Sequence, residues 1–272
     1  MRLPPENIVP YLICLCSKQS SFSNSFICKR CGDKLKVENG IINYGNTINS
    51  LIELESKNFR DWSNWRQQNF CFLSAILLQE GEKSVIELGS GGAQFRELYN
   101  DQNIDYISID LEPYQDLSIK IDLTSGIPIK DDLIDIVILN NFIEHFPDTH
   151  FILSESLRVL KKGGKVLACV PFLMQAHQVP FDYVRYTYNG LEKVFGRAGF
   201  ADIKIENPMS VSESVLGLIH SSLSHAKQTN IYSRIKVKIL KVICMFLLRK
   251  LKFNDTNKFS IGFNVVAIKP SF

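Results

Sequence analysis

Three groups of residues in this chain have the types and spacing that chemistry needs. Val85-Ile86-Glu87-Leu88-Gly89-Ser90-Gly91 runs from an apolar strand pattern into a glycine-rich turn, with a helix opening behind it. Gly89 and Gly91 admit backbone conformations closed to residues with a Cβ and leave room for a ligand against the main chain, so a nucleotide is the natural occupant. A G-x-G-x-x-G dinucleotide loop would need a glycine where Gln94 stands, which weakens a pyrophosphate reading. Asp110 lies 21 residues past Gly89 and closes the apolar run from Tyr106, near the spacing at which a second strand offers a carboxylate to ribose hydroxyls. The second group is Cys14, Cys16, Cys28 and Cys31, four of the seven cysteines gathered at one end. Two residues separate Cys28 from Cys31, so both thiolates can reach one tetrahedral ion; Cys14-Leu15-Cys16 has one, a tighter geometry. The third is His145, in Asn140-Asn141-Phe142-Ile143-Glu144-His145-Phe146, and His177, ahead of Asp182, Tyr183, Arg185 and Tyr186. Histidine moves protons near neutral pH, and the residues after it suit a hydroxylated or phosphorylated ligand.

These side chains must be held by an alternation of strands and helices. Ile119 to Asp122 and Asp135 to Leu139 have strand character, Leu153 to Leu160 is helical in period, Gly163-Gly164 turns the chain, and Lys165 to Val170 supplies a further strand. In this order the segments, with Glu87-x-Gly89-x-Gly91, resemble class I S-adenosylmethionine (SAM) methyltransferases over more than a hundred residues. Ala93 stands where that family usually has another glycine. The resemblance implies an α/β, Rossmann-like fold with a seven-stranded sheet. It also implies roles: Asp110 binds the ribose, Asp122 takes the adenine amino group, Leu123 lines the ring, and Glu87, Gly89, Ser90, Gly91, Leu111 and Asn140 complete the cofactor pocket. Residues 51 to 80, helical in pattern and rich in aromatics, would precede the first strand and either close over the cofactor or pack on the sheet edge.

Val170-Pro171-Phe172, His177, Pro180-Phe181-Asp182-Tyr183-Val184-Arg185-Tyr186-Thr187 is similar to a pattern found in methyltransferases encoded with bacterial surface-polysaccharide and O-antigen machinery. That likeness implies O-methylation of a sugar or glycan intermediate, with a small-molecule or lipid-linked saccharide as acceptor. An in-line displacement at a sulfonium needs the acceptor aligned and its proton removed. His177 is the candidate base and His145 the competing one, whose Glu-His pair would otherwise pack the next helix. Asp182 would orient His177, and Tyr183, Arg185 and Tyr186 would grip the acceptor, unless Arg185 pairs with Asp182 to lock the loop.

The cysteine block, through Asn39-Gly40-Ile41-Ile42-Asn43-Tyr44, resembles the small zinc ribbon ahead of some bacterial methyltransferase domains. A structural zinc on the four cysteines is expected; the alternative is a metal-free ribbon held by Ile13, Phe26, Ile27 and Val37. Cys71, Cys169 and Cys244 lie in apolar surroundings and are expected to be buried. The organisation is then 1–46 ribbon, 51–207 with 261–272 methyltransferase domain, and 208–260 helical insertion.

With 272 residues, 45% of them hydrophobic, the chain can bury a sizeable core. Its 31 basic and 28 acidic residues give a net +3, too little to argue for nucleic acid. RNA methylation, suggested by ribbons in RNA-modifying enzymes, is therefore the lesser reading, beside a non-catalytic SAM-binding scaffold. Residues 231–252 hold seven basic residues and no acid, so the rest of the chain is slightly acidic. Arg234, Lys238, Lys241, Arg249 and Lys252 form one helical stripe beside an apolar face with Ile239, Ile243 and Phe246. Such a helix either lies on an anionic bilayer or packs on the domain as a lid. No signal peptide or membrane span is evident, which predicts a cytoplasmic protein, peripheral at the inner face of the membrane if the helix meets lipid.

Overall fold

The computed structural model describes residues 3–53, 59–79, 83–92, 104–225 and 259–271, with Ile235, Ile239, Val242, Ile243 and Phe246. Its strands are β1 (Lys36–Glu38), β2 (Ile41–Asn43), β3 (Lys83–Leu88), β4 (Ile104–Asp110), β5 (Ile119–Lys120), β6 (Ile134–Asn140), β7 (Leu160–Pro171), β8 (Ala201–Glu206) and β9 (Gly262–Ile268). They form one sheet in the order β1-β2-β5-β4-β3-β6-β7-β9-β8. Buried, mainly apolar stretches run through the central strands β3 (Val85–Leu88), β6 (Ile136–Leu139) and β7 (Val166–Val170), because both sheet faces are covered there, as parallel sheets require. The chain steps outward from β3 to β4 and β5, then returns to β6 on the other side of β3. That reversal opens a crevice at the carboxyl ends of β3 and β6, where open α/β sheets bind ligands.

The α/β plan is as expected, but among the described residues the sheet has nine strands where seven were expected. The seven from β5 to β8 make the expected set, with β9 antiparallel to both neighbours. The other two belong to the cysteine-bearing segment: β1 and β2 form a hairpin, and β2 pairs in parallel with β5 through Ile42–Ile119 and Asn43–Lys120. Leu12 bridges to Ile129, the Ile13 amide donates to the Pro128 carbonyl at 3.0 Å, and Lys18 meets Glu155 at 2.5 Å. The segment's buried residues Leu12, Phe22 and Cys28 join the main core; of the four residues that would hold a metal-free ribbon, Ile13 is buried and Phe26 packs against the core, while Ile27 and Val37 are each 40% exposed.

The helices are α1 (Pro5–Ile8), α2 (Asn64–Leu77), α3 (Thr149–Val159), α4 (Tyr188–Arg197) and α5 (Val211–His225). Residues 51 to 80 are thus less helical than expected: α2 begins only where the Ser63 hydroxyl caps the Arg66 amide. Asp148 and Thr187 cap α3 and α4 in the same way. Gly163-Gly164 is a bulge within β7 instead of a turn ahead of it, since the pairing skips from Ile134–Leu160 to Ile136–Lys165. Cys169 is buried as expected and Cys71 is exposed, because it falls on the outer side of α2; Cys244 lies outside the described residues. Ile235, Ile239, Val242, Ile243 and Phe246 are helical, at one-face spacing, and between 49% and 59% exposed. The basic stripe beside them lies outside the described residues. Among the described residues no helix is long and apolar enough to cross a membrane.

Candidate functional site

The glycine turn after β3 sits at the crevice. Gly89 has φ +64°, and a Cβ there would fall 2.2 Å from the Phe142 ring, so both conformation and space demand glycine. Gly91, at φ +54°, has room around it: among the described residues a Cβ would meet nothing within 4 Å. The turn is tied to β4 by Gly89 and Ser90 amides donating to the Ile109 carbonyl, at 2.9 and 3.2 Å. Asp110 Oδ2 accepts from the Gly91 amide at 2.8 Å and Oδ1 from the Glu112 amide at 3.0 Å. Each oxygen keeps a lone pair for a further donor. Glu87 is buried with the Tyr106 hydroxyl donating to it at 2.5 Å, and burial pushes its carboxyl up to about 7.

The neighbouring strands add the other expected residues. Asp122 is exposed and caps a short 3-10 turn, accepting from the Thr124 amide at 2.9 Å. That turn tucks Leu123 into the core, at 6% exposure, instead of presenting it as the lining expected for an adenine ring; Leu111 is 53% exposed. Beyond β6, the Asn69 and Asn140 amides meet at 3.1 Å, and the Trp65 indole donates to Asn141 Oδ1 at 2.8 Å. Trp65 also lies over Gly262, where a Cβ would come within 2.4 Å of its ring, so α2 is pinned beside the crevice.

The two histidines expected to compete are one unit. Their Nε2 atoms face each other at 3.1 Å, and Glu144 Oε1 lies 3.6 Å from His145 Nε2 and 3.7 Å from His177 Nε2. Glu144 is fully buried, and neither carboxylate oxygen has a hydrogen-bond partner. His145 and Glu144 sit on a 3-10 turn after β6, and His177 on the loop after β7. Phe142, which touches Gly89, connects this cluster to the glycine turn. The Glu144 carboxylate holds His177 above the usual histidine range, against its partial burial.

Asp182 accepts from the His177 amide at 2.9 Å and stands 3.6 Å from its Nδ1. Arg185 grips Asp182 with two nitrogens, Nη2–Oδ2 at 2.6 Å, and holds its carboxyl down to about 2. Arg185 thus locks the loop, the alternative to gripping an acceptor, because its fork is spent on Asp182. Tyr186 is likewise committed, its hydroxyl 2.9 Å from Thr149 Oγ1. Tyr183 stays at the surface at 48% exposure, with Phe181 at 56% beside it. The roles of Glu144, Phe142 and Tyr106 escaped the sequence reading, whereas Trp65 belongs to the aromatic stretch expected either to close over the cofactor or to pack on the sheet edge. Of the three, Glu144 alone had a signal there, as the first half of the Glu-His pair.

The four expected cysteines also converge. Cys14 pairs with Cys31 and Cys16 with Cys28, each at a sulfur separation of 3.7 Å, and all four sulfurs lie within 4.8 Å of one another. Bonds of about 2.3 Å to a tetrahedral zinc place sulfurs about 3.8 Å apart, so the set fits one such ion. The Cys31 and Arg30 amides point at Cys28 Sγ, and the Cys31 amide first of all lowers that thiol to about 6. A cleft of about 880 Å³ opens at the opposite ends of the strands, lined by Tyr11, Asp105, Asp135 and Lys161. Its polar groups satisfy one another, Tyr11 with Asp105 and Lys161 with Asp135, and it lacks a glycine turn.

A model of the methyltransferase domain matches residues 86–168, from the glycine turn to β7. No protein of curated function matches the sequence. The chain is similar to Haemonchus contortus phosphoethanolamine N-methyltransferase 2 in complex with SAM, at 17% identity and a TM-score of 0.50, over 75% of this chain and 52% of that one. It thus spans about half the length of that relative. It is also similar to the [4+2]-cyclase SpnF, at 18% identity and a TM-score of 0.52, over 79% of this chain and 85% of that one. At such identities the likeness is one of fold, and a transferase and a cyclase sharing it illustrate that fold alone does not set the reaction. The matched region spans the glycine turn, β4, β5, β6 and part of β7, and the solved structures share the α/β fold built around it.

Proposed function

We propose that this protein transfers a methyl group from SAM to a hydroxyl oxygen of a sugar or glycan intermediate in surface-polysaccharide assembly. The observation that supports it best is the Glu144–His145–His177 cluster, joined to the glycine turn through Phe142 and rimmed by exposed Phe181 and Tyr183. In this reading Asp110 holds the ribose, Glu87, Ser90, Gly91 and Asn140 cradle the rest of the cofactor, and Asp122 meets the adenine. SAM, when bound, supplies a methyl on a positively charged sulfur. Phe181 and Tyr183 offer flat apolar faces to a sugar ring while Tyr183 keeps a hydroxyl for it. The cluster eases the loss of the acceptor's proton as its oxygen attacks. Incubation with SAM and a panel of nucleotide sugars and lipid-linked saccharides, followed by mass spectrometry, should find one methyl gained by a saccharide. Methylation of RNA with every saccharide untouched would overturn the reading.

The cysteine set belongs to the same proposal as a structural zinc site. About one zinc per chain should copurify. Cys28→Ser with Cys31→Ser should release it and raise amide exchange through β1 and β2, which the segment contributes to the sheet edge. Elemental analysis without zinc in protein prepared free of chelators would reject it.

We assign 231–252 to the cytoplasmic surface of an anionic bilayer, where a lipid-linked acceptor resides. Its apolar residues Ile235, Ile239, Val242 and Ile243 are exposed, and its seven basic residues suit lipid headgroups. Each basic residue near such a surface adds about 1 kcal/mol. Vesicle sedimentation at low salt should recover the protein with anionic but not neutral liposomes, less so after Arg234, Lys238 and Lys241 are changed to Glu. Equal recovery with both would return this helix to the role of a lid.

A further inference from the structure

Glu144, His145 and His177 pose a problem that hydrogen bonding within the cluster does not solve. Glu144 is 0% exposed and both its oxygens are unpartnered, and a buried carboxylate without a partner is costly. The two imidazoles turn the same kind of atom toward it. His145 Nδ1 lies 2.8 Å from the Phe181 carbonyl, which can only accept, so that nitrogen carries the hydrogen and Nε2 of the neutral ring holds a lone pair. His177 Nδ1 lies 3.3 Å from the Gln175 carbonyl and 3.6 Å from Asp182 Oδ2, both acceptors. Arg185 Nη2 is 3.4 Å from the same nitrogen, but its two hydrogens go to Asp182 Oδ2 and the Gln175 carbonyl. As a neutral ring His177 therefore also presents a lone pair at Nε2, and a proton taken up there would stand on a nitrogen 3.7 Å from Glu144 Oε1, too far for a hydrogen bond. Two lone pairs at 3.1 Å and a carboxylate oxygen 3.6 and 3.7 Å from them converge on one point with nothing positive between them. A single proton on the nitrogen–nitrogen line would still leave both carboxylate oxygens unpaired.

We infer that Glu144, His145 and His177 form a binding site for one divalent transition-metal cation. An ion equidistant from the three atoms, at the separations given, lies about 2.0–2.2 Å from each, the usual length of bonds from zinc-like metals to imidazole and carboxylate. Two imidazoles and one carboxylate select first-row metals over magnesium or calcium and leave coordination positions open. The acceptors at each Nδ1–H, with Asp182 and Arg185 around the second ring, fix tautomer and orientation as the outer partners of metal-binding histidines do. The inference rests on the proposed methyl transfer for its purpose: a hydroxyl of the acceptor filling an open position would lose its proton more readily.

Cobalt(II) added alone to the metal-free full chain tests this, because it distinguishes the two candidate sites. Cobalt on the four cysteines gives intense thiolate charge-transfer absorption; cobalt on nitrogen and oxygen gives only weak d–d bands. Titration should continue after the thiolate bands saturate, to about one further cobalt per chain. Proton NMR should then reveal two hyperfine-shifted, exchangeable signals, one from each Nδ1–H. His177→Ala, in the loop, and Glu144→Gln should each weaken this second binding beyond the roughly 10–100-fold that loss of an outer partner costs, with the thiolate bands intact. Uptake that stops with the thiolate bands, or shifted signals unchanged in His177→Ala, would overturn the site. SAM binding by calorimetry is read separately: cobalt uptake without SAM binding would sink the methyl-transfer reading and leave the metal site standing, and the reverse result would do the opposite.

Discussion

His177→Ala lowers turnover on the true acceptor by about 10²–10⁴-fold, with SAM affinity nearly unchanged, and His145→Ala produces a loss of similar size. The two rings are 32 residues apart in sequence but meet at 3.1 Å over the same buried carboxylate, so removing either one disables the cluster. The double variant is accordingly no worse than either single one, as for groups that act as a unit. His145→Ala is therefore no independent control for His177; Tyr186→Phe, which loses only a hydroxyl bonded to Thr149, serves that purpose. Steady-state kinetics at saturating SAM gives the answer. Full turnover in His177→Ala would remove the cluster from the chemistry.

Asp110→Ala weakens SAM binding by roughly 2–5 kcal/mol, through loss of a charged acceptor for two ribose hydroxyls. It also releases the Gly91 and Glu112 amides that Asp110 now holds, so the glycine turn keeps its backbone bonds to the Ile109 carbonyl but loses its side-chain tie to β4. Calorimetry should further find wild-type affinity rising with pH through about 7, the value to which burial lifts Glu87. The ionised carboxylate attracts the cationic amino-acid end of SAM, so binding favours that form and releases a proton. In the unliganded protein the sign is opposite. A carboxyl raised above its unfolded value stabilises the fold below the ordinary glutamate range, and this contribution is lost as pH rises through about 7. Glu87→Gln should flatten both dependences. Nicotinamide dinucleotide binding in place of SAM would sink the cofactor assignment.

Much of the molecule was legible in the sequence because its signals are local. Apolar runs of strand length marked β3, β6 and β7, since strands buried on both faces admit little else. The spacing from Gly89 to Asp110 announced the turn and carboxylate that the structure links through the Gly91 amide. The clustered cysteines likewise announced their convergence. Tertiary structure decided what depends on contacts between distant segments. The ribbon-like segment joins the sheet because β5 has a free edge that β2 can pair with, which no pattern within residues 1–46 encodes. Leu123 turns inward because Asp122 caps the turn that holds it. Arg185 is taken from the acceptor because Asp182 lies one helical turn's reach away in a folded loop. Glu144 illustrates the difference most clearly. Its place beside His145 was visible in sequence, but its complete burial, its missing partners and the approach of His177 exist only once the ends of β6 and β7 are side by side.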